Sequence, residues 1–197
     1  MKIRIKSDAA QNCAGSILSF VNPWGAVCNA TELCIEQDKD FLYFFFDAKS
    51  EEIVLVSDFS NKRDIELEDR VELYFSKAPD MHDYYCFEID AMGRILSYRA
   101  HYYRQFDYSW EPPFDLKVVA QISPDGYSVK GRIPMDFLKD FVHENYIYFG
   151  AYRADFSKKG DTLIENWQTW KDPKTAYPDF HVPASLGKLT IEVVASC

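Results

Sequence analysis

The sequence predicts an all-β fold, an antiparallel β-sandwich of immunoglobulin-like or jelly-roll type that carries one short helix. Short segments that alternate apolar and polar residues recur along the chain, and turn-forming residues punctuate them. No strand is followed by the long amphipathic run that a βαβ unit requires. Aromatic residues make up 16% of the 197 positions, with 15 Phe and 13 Tyr, which suits pleated surfaces. No internal repeat, low-complexity segment or Gly/Ser linker divides the chain, so the simplest organisation is one domain over 1–197.

The first clear element is FLYFFFD (41–47), nearly continuous in apolar residues and expected to be a strand buried on both faces. RVELYFS (70–76) alternates, turning Val71, Leu73 and Phe75 toward a core and Glu72 and Tyr74 outward. YYCFEIDA (84–91) does the same, with Tyr85, Phe87 and Ile89 inward and Cys86, Glu88 and Asp90 outward. AMG (91–93) reads as a turn into RILSYRAHYY (94–103). LKVVAQI (116–122), then SPDG, then YSVKGRIP (127–134) reads as a hairpin, because Pro presets φ and Gly accepts a positive one. In PMDFLKDF (134–141), Met135, Leu138 and Phe141 recur at helical spacing and predict the short helix. YIYFGAYRA (146–154) and GKLTIEV (187–193) complete the strands. Between them lie long loops at 57–69, 104–115 and 155–185, where function on a rigid sandwich concentrates.

The formal net charge is −9 and no Lys/Arg cluster occurs, which argues against nucleic acid and anionic membrane surfaces as partners. No apolar run reaches the length of a membrane span. The five cysteines (13, 28, 34, 86 and 197) are odd in number and form no C-x-x-C, so free thiols are expected rather than a disulfide framework or a zinc site. The amino-terminal stretch has no continuous apolar run and is not read as a signal peptide. That places the chain as given in the cytoplasm, or in the periplasm or outside the cell if a leader has been removed.

The sequence contains no G-x-S-x-G, Gly-rich phosphate loop or H-E-x-x-H. Carboxylates gather at Glu66, Glu68, Asp69 and Glu72, and again at Glu88 and Asp90. They read as a solvated acidic face, with a glycosidase pair as the alternative. ADFSKKGD (154–161) offers Asp155, Ser157 and Asp161 as oxygen ligands for calcium.

The long loops are rich in rings that complement the C–H face of a sugar: Tyr102, Tyr103, Tyr108 and Trp110 in one, and Trp167, Trp170, Tyr177 and His181 in another. Trp24 reads as core. ENWQTWKDP (165–173) places two tryptophans at opposite strand parity, so an extended strand sends them to opposite faces.

Five segments in order carry a resemblance: EDRVELYFS (68–76), YYCFEIDAMG (84–93), GYSVKGRIPMDFL (126–138), FGAYRAD (149–155) and TWKDPKTAYPDFHVPASLGKL (169–189). Over most of 24–193 they resemble the family 9 carbohydrate-binding modules and their single-domain relatives. The resemblance implies a β-sandwich that binds an oligo- or polysaccharide without catalysis, often attached to a xylanase or another glycoside hydrolase. It implies no required cofactor, with structural calcium as an accessory, for which Asp155 and Asp161 are the candidates here.

In such modules two tryptophans sandwich the sugar. Trp170 matches the second of them, Glu72 matches the glutamate of the V-E strand and Arg153 a recurrent arginine. Trp110 and Arg99 complete the candidate carbohydrate-binding set. The first sandwich tryptophan has no counterpart, because 61–70 contains no aromatic residue and the nearest ring upstream is Phe59. Trp110, a loop tyrosine or Trp167 is left to substitute. Related sandwiches also include haem-binding domains with Met and His axial ligands, which makes Met81, Met92, His82 and His101 a further alternative.

Overall fold

The computed structural model describes residues 13–25 and 28–191. Most of the amino-terminal stretch read for a signal peptide, the last residues of the predicted strand 187–193, and Cys197 lie outside them. The strands are β1 (Ser16–Ser19), β2 (Thr31–Gln37), β3 (Phe41–Lys49), β4 (Arg70–Ser76), β5 (Tyr84–Asp90), β6 (Ile95–Ala100), β7 (Phe106–Asp107), β8 (Lys117–Ser123), β9 (Gly126–Pro134), β10 (Val142–His143), β11 (Tyr146–Lys159), β12 (Thr162–Thr169) and β13 (Gly187–Thr190). The short helix α1 (Met135–Leu138) follows β9 and runs into a 3-10 turn, Lys139–Phe141.

The strands form two antiparallel sheets. One has the order β1-β2-β3-β9-β8. The other has the order β10-β11-β4-β5-β6-β7, with β12 and β13 also paired to β11. Period-two alternation builds the core between them: Phe44, Phe46, Val129 and Ile133 face Leu73, Phe75, Phe87 and Phe149. Leu138 and Phe141 of the helical segment join this core, with the Phe141 ring 5.2 Å from Tyr85. The predicted Pro-Asp turn closes the β8–β9 hairpin, with Ser123 opposite Gly126. At the β5–β6 turn Gly93 takes a φ of 81°, which glycine adopts without a Cβ penalty.

Several expectations change. β3 is buried on one face only: Leu42, Phe44, Phe46 and Ala48 are buried while Phe41, Tyr43 and Phe45 are half-covered. Among the described residues no second layer covers the outer side of this sheet, as antiparallel sheets allow. The segment 155–185 is a loop only in its second half. β11 continues to Lys159, turns at Gly160 and returns as β12 in register with it. The tip of this hairpin carries Lys158, Lys159 and Asp161 rather than alternating apolar residues, which hid it in the sequence.

The outward face of β4 to β6 is not solvated. Tyr74, Tyr84, Cys86, Leu96, Tyr98 and Tyr152 form a second core with Ile65, Met81, Phe180 and Leu186 from the covering loops. Glu68, Asp69, Glu72, Glu88 and Asp90 are buried rather than solvated: Glu72 and Glu88 pair with Arg70, Glu68 and Asp90 with Arg94, and Asp69 accepts from the Val54 and Phe156 amides. Long loops carrying apolar residues can roof a sheet as a helix would, and these do.

Cys13 and Cys34 form a disulfide, with Cα atoms 6.1 Å apart, that ties the approach to β1 onto β2. An odd cysteine count does not preclude one pair. Among the described residues Cys28 and Cys86 are free.

Candidate functional site

Between the outward face of the larger sheet and its covering loops lies a pocket of about 350 Å³. Strand register builds its floor. Glu72 stands directly opposite Glu88, and Cys86 opposite Tyr98, so β4, β5 and β6 bring Arg70, Glu72, Tyr74, Glu88 and Tyr98 to one patch. β12 adds Trp167 from the side. The rim comes from three loops and carries Arg63 and Glu66, then Arg104 and Tyr108, then Asp179 and His181. The first loop is shaped by a 3-10 turn at Lys62–Leu67, whose cap is reciprocal: Asn61 accepts from Arg63 N while Asp64 accepts from Asn61 N.

Arg70 organises the floor. Its Nε lies 3.0 Å from Glu72 Oε1 and 2.7 Å from Glu88 Oε2, ionic contacts without ideal hydrogen-bond angles. Its Nη1 donates to the carbonyls of Glu66 and Glu68 at 3.1 and 3.2 Å. Its guanidinium lies 5.2 Å from the Trp167 ring centre. Burial opposes its charge, but Glu88 and Glu72 more than offset that and raise its pKa.

The remaining carboxylate oxygens accept from tyrosines. Tyr74 OH donates to Glu72 Oε2 at 2.9 Å, and Tyr98 OH to Glu88 Oε1 at 2.8 Å. Burial, with the charge of Glu88 beside it, pushes Glu72 up to about 8, against the pull of Arg70. Burial also raises Tyr74 and Tyr98, which stay hydroxyl donors.

His181 hydrogen-bonds Tyr84 OH through Nδ1 at 3.0 Å, and its ring sits 4.8 Å from that of Phe106. Burial, aided by the Arg104 charge, lowers its pKa to about 3 and keeps it neutral. At the rim Arg63 pairs with Glu66 at 2.8 Å and Arg104 with Asp179 at 3.2 Å. Tyr108 OH donates to Glu66, and Tyr103 OH to Asp179. The pocket thus combines ring edges and faces with fixed donors and acceptors, which suits a small hydroxyl-bearing ligand.

Of the residues singled out as the carbohydrate-binding set, Glu72 lies in this pocket and Trp170, Arg153, Trp110 and Arg99 do not; of the loop rings, Tyr108, Trp167 and His181 line it. Trp170 packs into the core between the sheets, 5.8 Å from the Phe149 ring, with its Nε1 buried and unpaired. It lies so close to Gly187 that a Cβ there would meet the indole at 2.2 Å. Trp167 takes the outward side. The parity split is therefore observed: Trp170 packs against the core between the sheets, and Trp167 rather than Trp170 lines the pocket. Arg153 is fully buried between the sheets, donating to Thr31 Oγ1 and Asp155 Oδ1 at 2.8 Å each.

Trp110 packs edge-on against Tyr85 at 5.0 Å on the inner side, and Arg99 is paired with Asp83. Trp24 joins the second core and donates Nε1 to the Thr175 carbonyl at 3.1 Å. Asp155 is buried and accepts from Asn29, Arg153 and Gln168, whereas Asp161 is exposed at the hairpin tip, six residues further along. These two do not share a calcium site. Met92, His82 and His101 are exposed and Met81 is buried in the second core, so they do not enclose a haem pocket.

Glu72 and Glu88 share one wall and one arginine nitrogen. They cannot stand on opposite sides of a glycosidic bond as a hydrolytic pair does.

No protein-family model matches the chain, and no curated protein matches it. Solved structures do share its fold. A candidate carbohydrate-binding protein from Bacteroides uniformis superposes with a TM-score of 0.67 at 16% identity, over 90% of this chain and 86% of that one. A family 9 carbohydrate-binding module from Caldicellulosiruptor kristjanssonii, in complex with cellotriose, gives 0.62 at 12% identity over 96% of this chain and 87% of its own. A glucose complex of a family 9 module from the same organism gives 0.55 at 13% identity, over 91% of this chain and 87% of that one.

Proposed function

We propose that this chain binds a carbohydrate without transforming it, in the pocket on the outward face of β4 to β6. The observation that carries the proposal is the convergence of Trp167, Arg70, Glu72 and Glu88 in one cleft of about 350 Å³, a size that suits one or two sugar rings. Arg70 can donate from Nη2, and Glu72, Glu88 and the tyrosines are held in place to accept. The fold it shares with sugar-bound modules supports this reading. A polysaccharide-degrading enzyme as physical partner belongs to the same proposal and rests on the sequence resemblance alone. The Cys13–Cys34 disulfide supports an oxidising compartment, outside the cytosol.

The test is titration calorimetry and glycan-array binding on the wild-type protein and on Trp167→Phe and Glu88→Gln. Expected is saturable binding of a mono- or oligosaccharide that weakens at least about tenfold in Glu88→Gln, the loss of one charge-assisted hydrogen bond. Absence of glycan binding in the wild type would sink the proposal.

One observation favours a hydrolytic alternative: two carboxyls, Glu72 and Glu88, line one cleft, and burial raises Glu72 toward the range of an acid catalyst. Their shared Arg70 stands against it. Turnover of aryl glycosides that disappears in Glu72→Gln would select it over simple binding.

A further inference from the structure

The rim and floor of the pocket carry three arginines, a number that could suggest an anionic ligand. Each is already committed. Arg63 is held by Glu66 at 2.8 Å, Arg104 by Asp179 at 3.2 Å, and Arg70 by Glu72 and Glu88 at 3.0 and 2.7 Å. The two rim carboxylates are themselves fixed by hydroxyls, Glu66 by Tyr108 and Asp179 by Tyr103, both at 2.9 Å. Every cation facing the pocket therefore has an internal counter-charge held in position by a second contact.

We propose that Glu66 and Asp179 are specificity-determining residues: by occupying Arg63 and Arg104 they restrict the pocket to uncharged sugars and reject uronic acids. The proposal rests on the carbohydrate reading above and sharpens it. An incoming carboxylate would have to displace Glu66 or Asp179 from its arginine and leave that displaced carboxylate beside it. Like charges at such range cost more than an exchanged ion pair returns. A neutral hydroxyl asks for no such exchange. The floor works in the same direction, because Arg70 is held between Glu72 and Glu88 at 3.0 and 2.7 Å. An amino sugar gains little either, since each carboxylate is also taken.

Glu66 and Asp179 are partly exposed and lie on loops, so their amides should fold; thermal melting of each variant checks this. The experiment measures affinities of the wild type, Glu66→Gln and Asp179→Asn for matched pairs: glucose with glucuronate, and galactose with galacturonate. The wild type is expected to bind the neutral member of a pair and to bind its uronate at least tenfold more weakly. In each variant the uronate-to-neutral affinity ratio should rise about tenfold or more, the gain of a freed arginine meeting a carboxylate. That gain should fall with added salt. A wild type that binds uronates as well as neutral sugars, or variants whose ratio does not move, would overturn the inference and leave carbohydrate binding standing. A wild type that binds neither kind of sugar would overturn both.

Discussion

Glu72 and Glu88 stand directly opposite each other on neighbouring strands and share the Nε of one arginine, Arg70, at 3.0 and 2.7 Å. All four residue-to-residue links around them, two to Arg70 and one each to Tyr74 and Tyr98, lie in the buried floor of the pocket.

Removing Arg70 leaves two carboxyls without their cation. Arg70→Met is expected to cost about 3–5 kcal/mol of stability at neutral pH, as broken buried ion pairs do. The loss should shrink at pH 5, because burial raises Glu72 and removing the Arg70 charge raises it further, so it is neutral there. Chemical denaturation at the two pH values checks both statements.

Glu72 and Asp69 are raised in the folded chain, to about 8 and about 7, in both cases chiefly by burial. A raised acid holds its proton more tightly when folded, so its stabilising contribution is present below the unfolded pKa and is lost as pH rises through the folded one. Melting temperature should therefore fall from about pH 5 to about pH 8.5 by roughly several degrees. Glu72→Gln and Asp69→Asn should each flatten part of that slope. A melting temperature that rises over this window would contradict the burial of both acids.

The two tryptophans should separate binding from stability. Trp170→Ala empties a site against Phe149 and Gly187 and should cost about 3–5 kcal/mol. Gly187→Ala pushes a methyl into the same indole and should cost about 1–3 kcal/mol. Trp167→Phe should weaken sugar binding with a smaller stability loss. Paired calorimetry of unfolding and of binding distinguishes the three.

The Cys13–Cys34 bond spans 21 residues, and removing it should cost up to about 3 kcal/mol by the chain-entropy account. Cys34→Ser, or dithiothreitol added to the wild type, should lower the melting temperature. Thiol titration of the denatured, unreduced protein should find the remaining cysteines only.

Much of the sandwich was legible because β4, β5, β8 and β9 alternate with period two and β8–β9 carries a Pro-Asp turn. β2 was less visible because only Leu33 and Ile35 stand as large apolar residues in its alternation, and the β11–β12 tip is polar throughout. Glu72 and Glu88 were visible as outward carboxylates, yet strand parity says only which face a residue takes. Whether that face meets water depends on Ile65 in the turn before β4 and on Phe180 and Leu186 in a distant loop, and no local pattern links the latter two to β4 or β5. That Trp167 rather than Trp170 lines the pocket was hidden for the same reason. Parity separated them, but the side on which the sheets pack is fixed by β11 and Gly187.

Burial of β4 to β6 on both faces gives the pocket floor an unusual standing in the molecule. Its amides belong among the slowest to exchange with deuterium, since opening them requires two cores to separate rather than one. A ligand would therefore meet a wall that is already rigid, with little ordering entropy left to lose on binding. Variation in the chemistry recognised would then be confined to the rim, where Arg63, Glu66, Arg104 and Asp179 sit on loops that can change without disturbing the strands beneath.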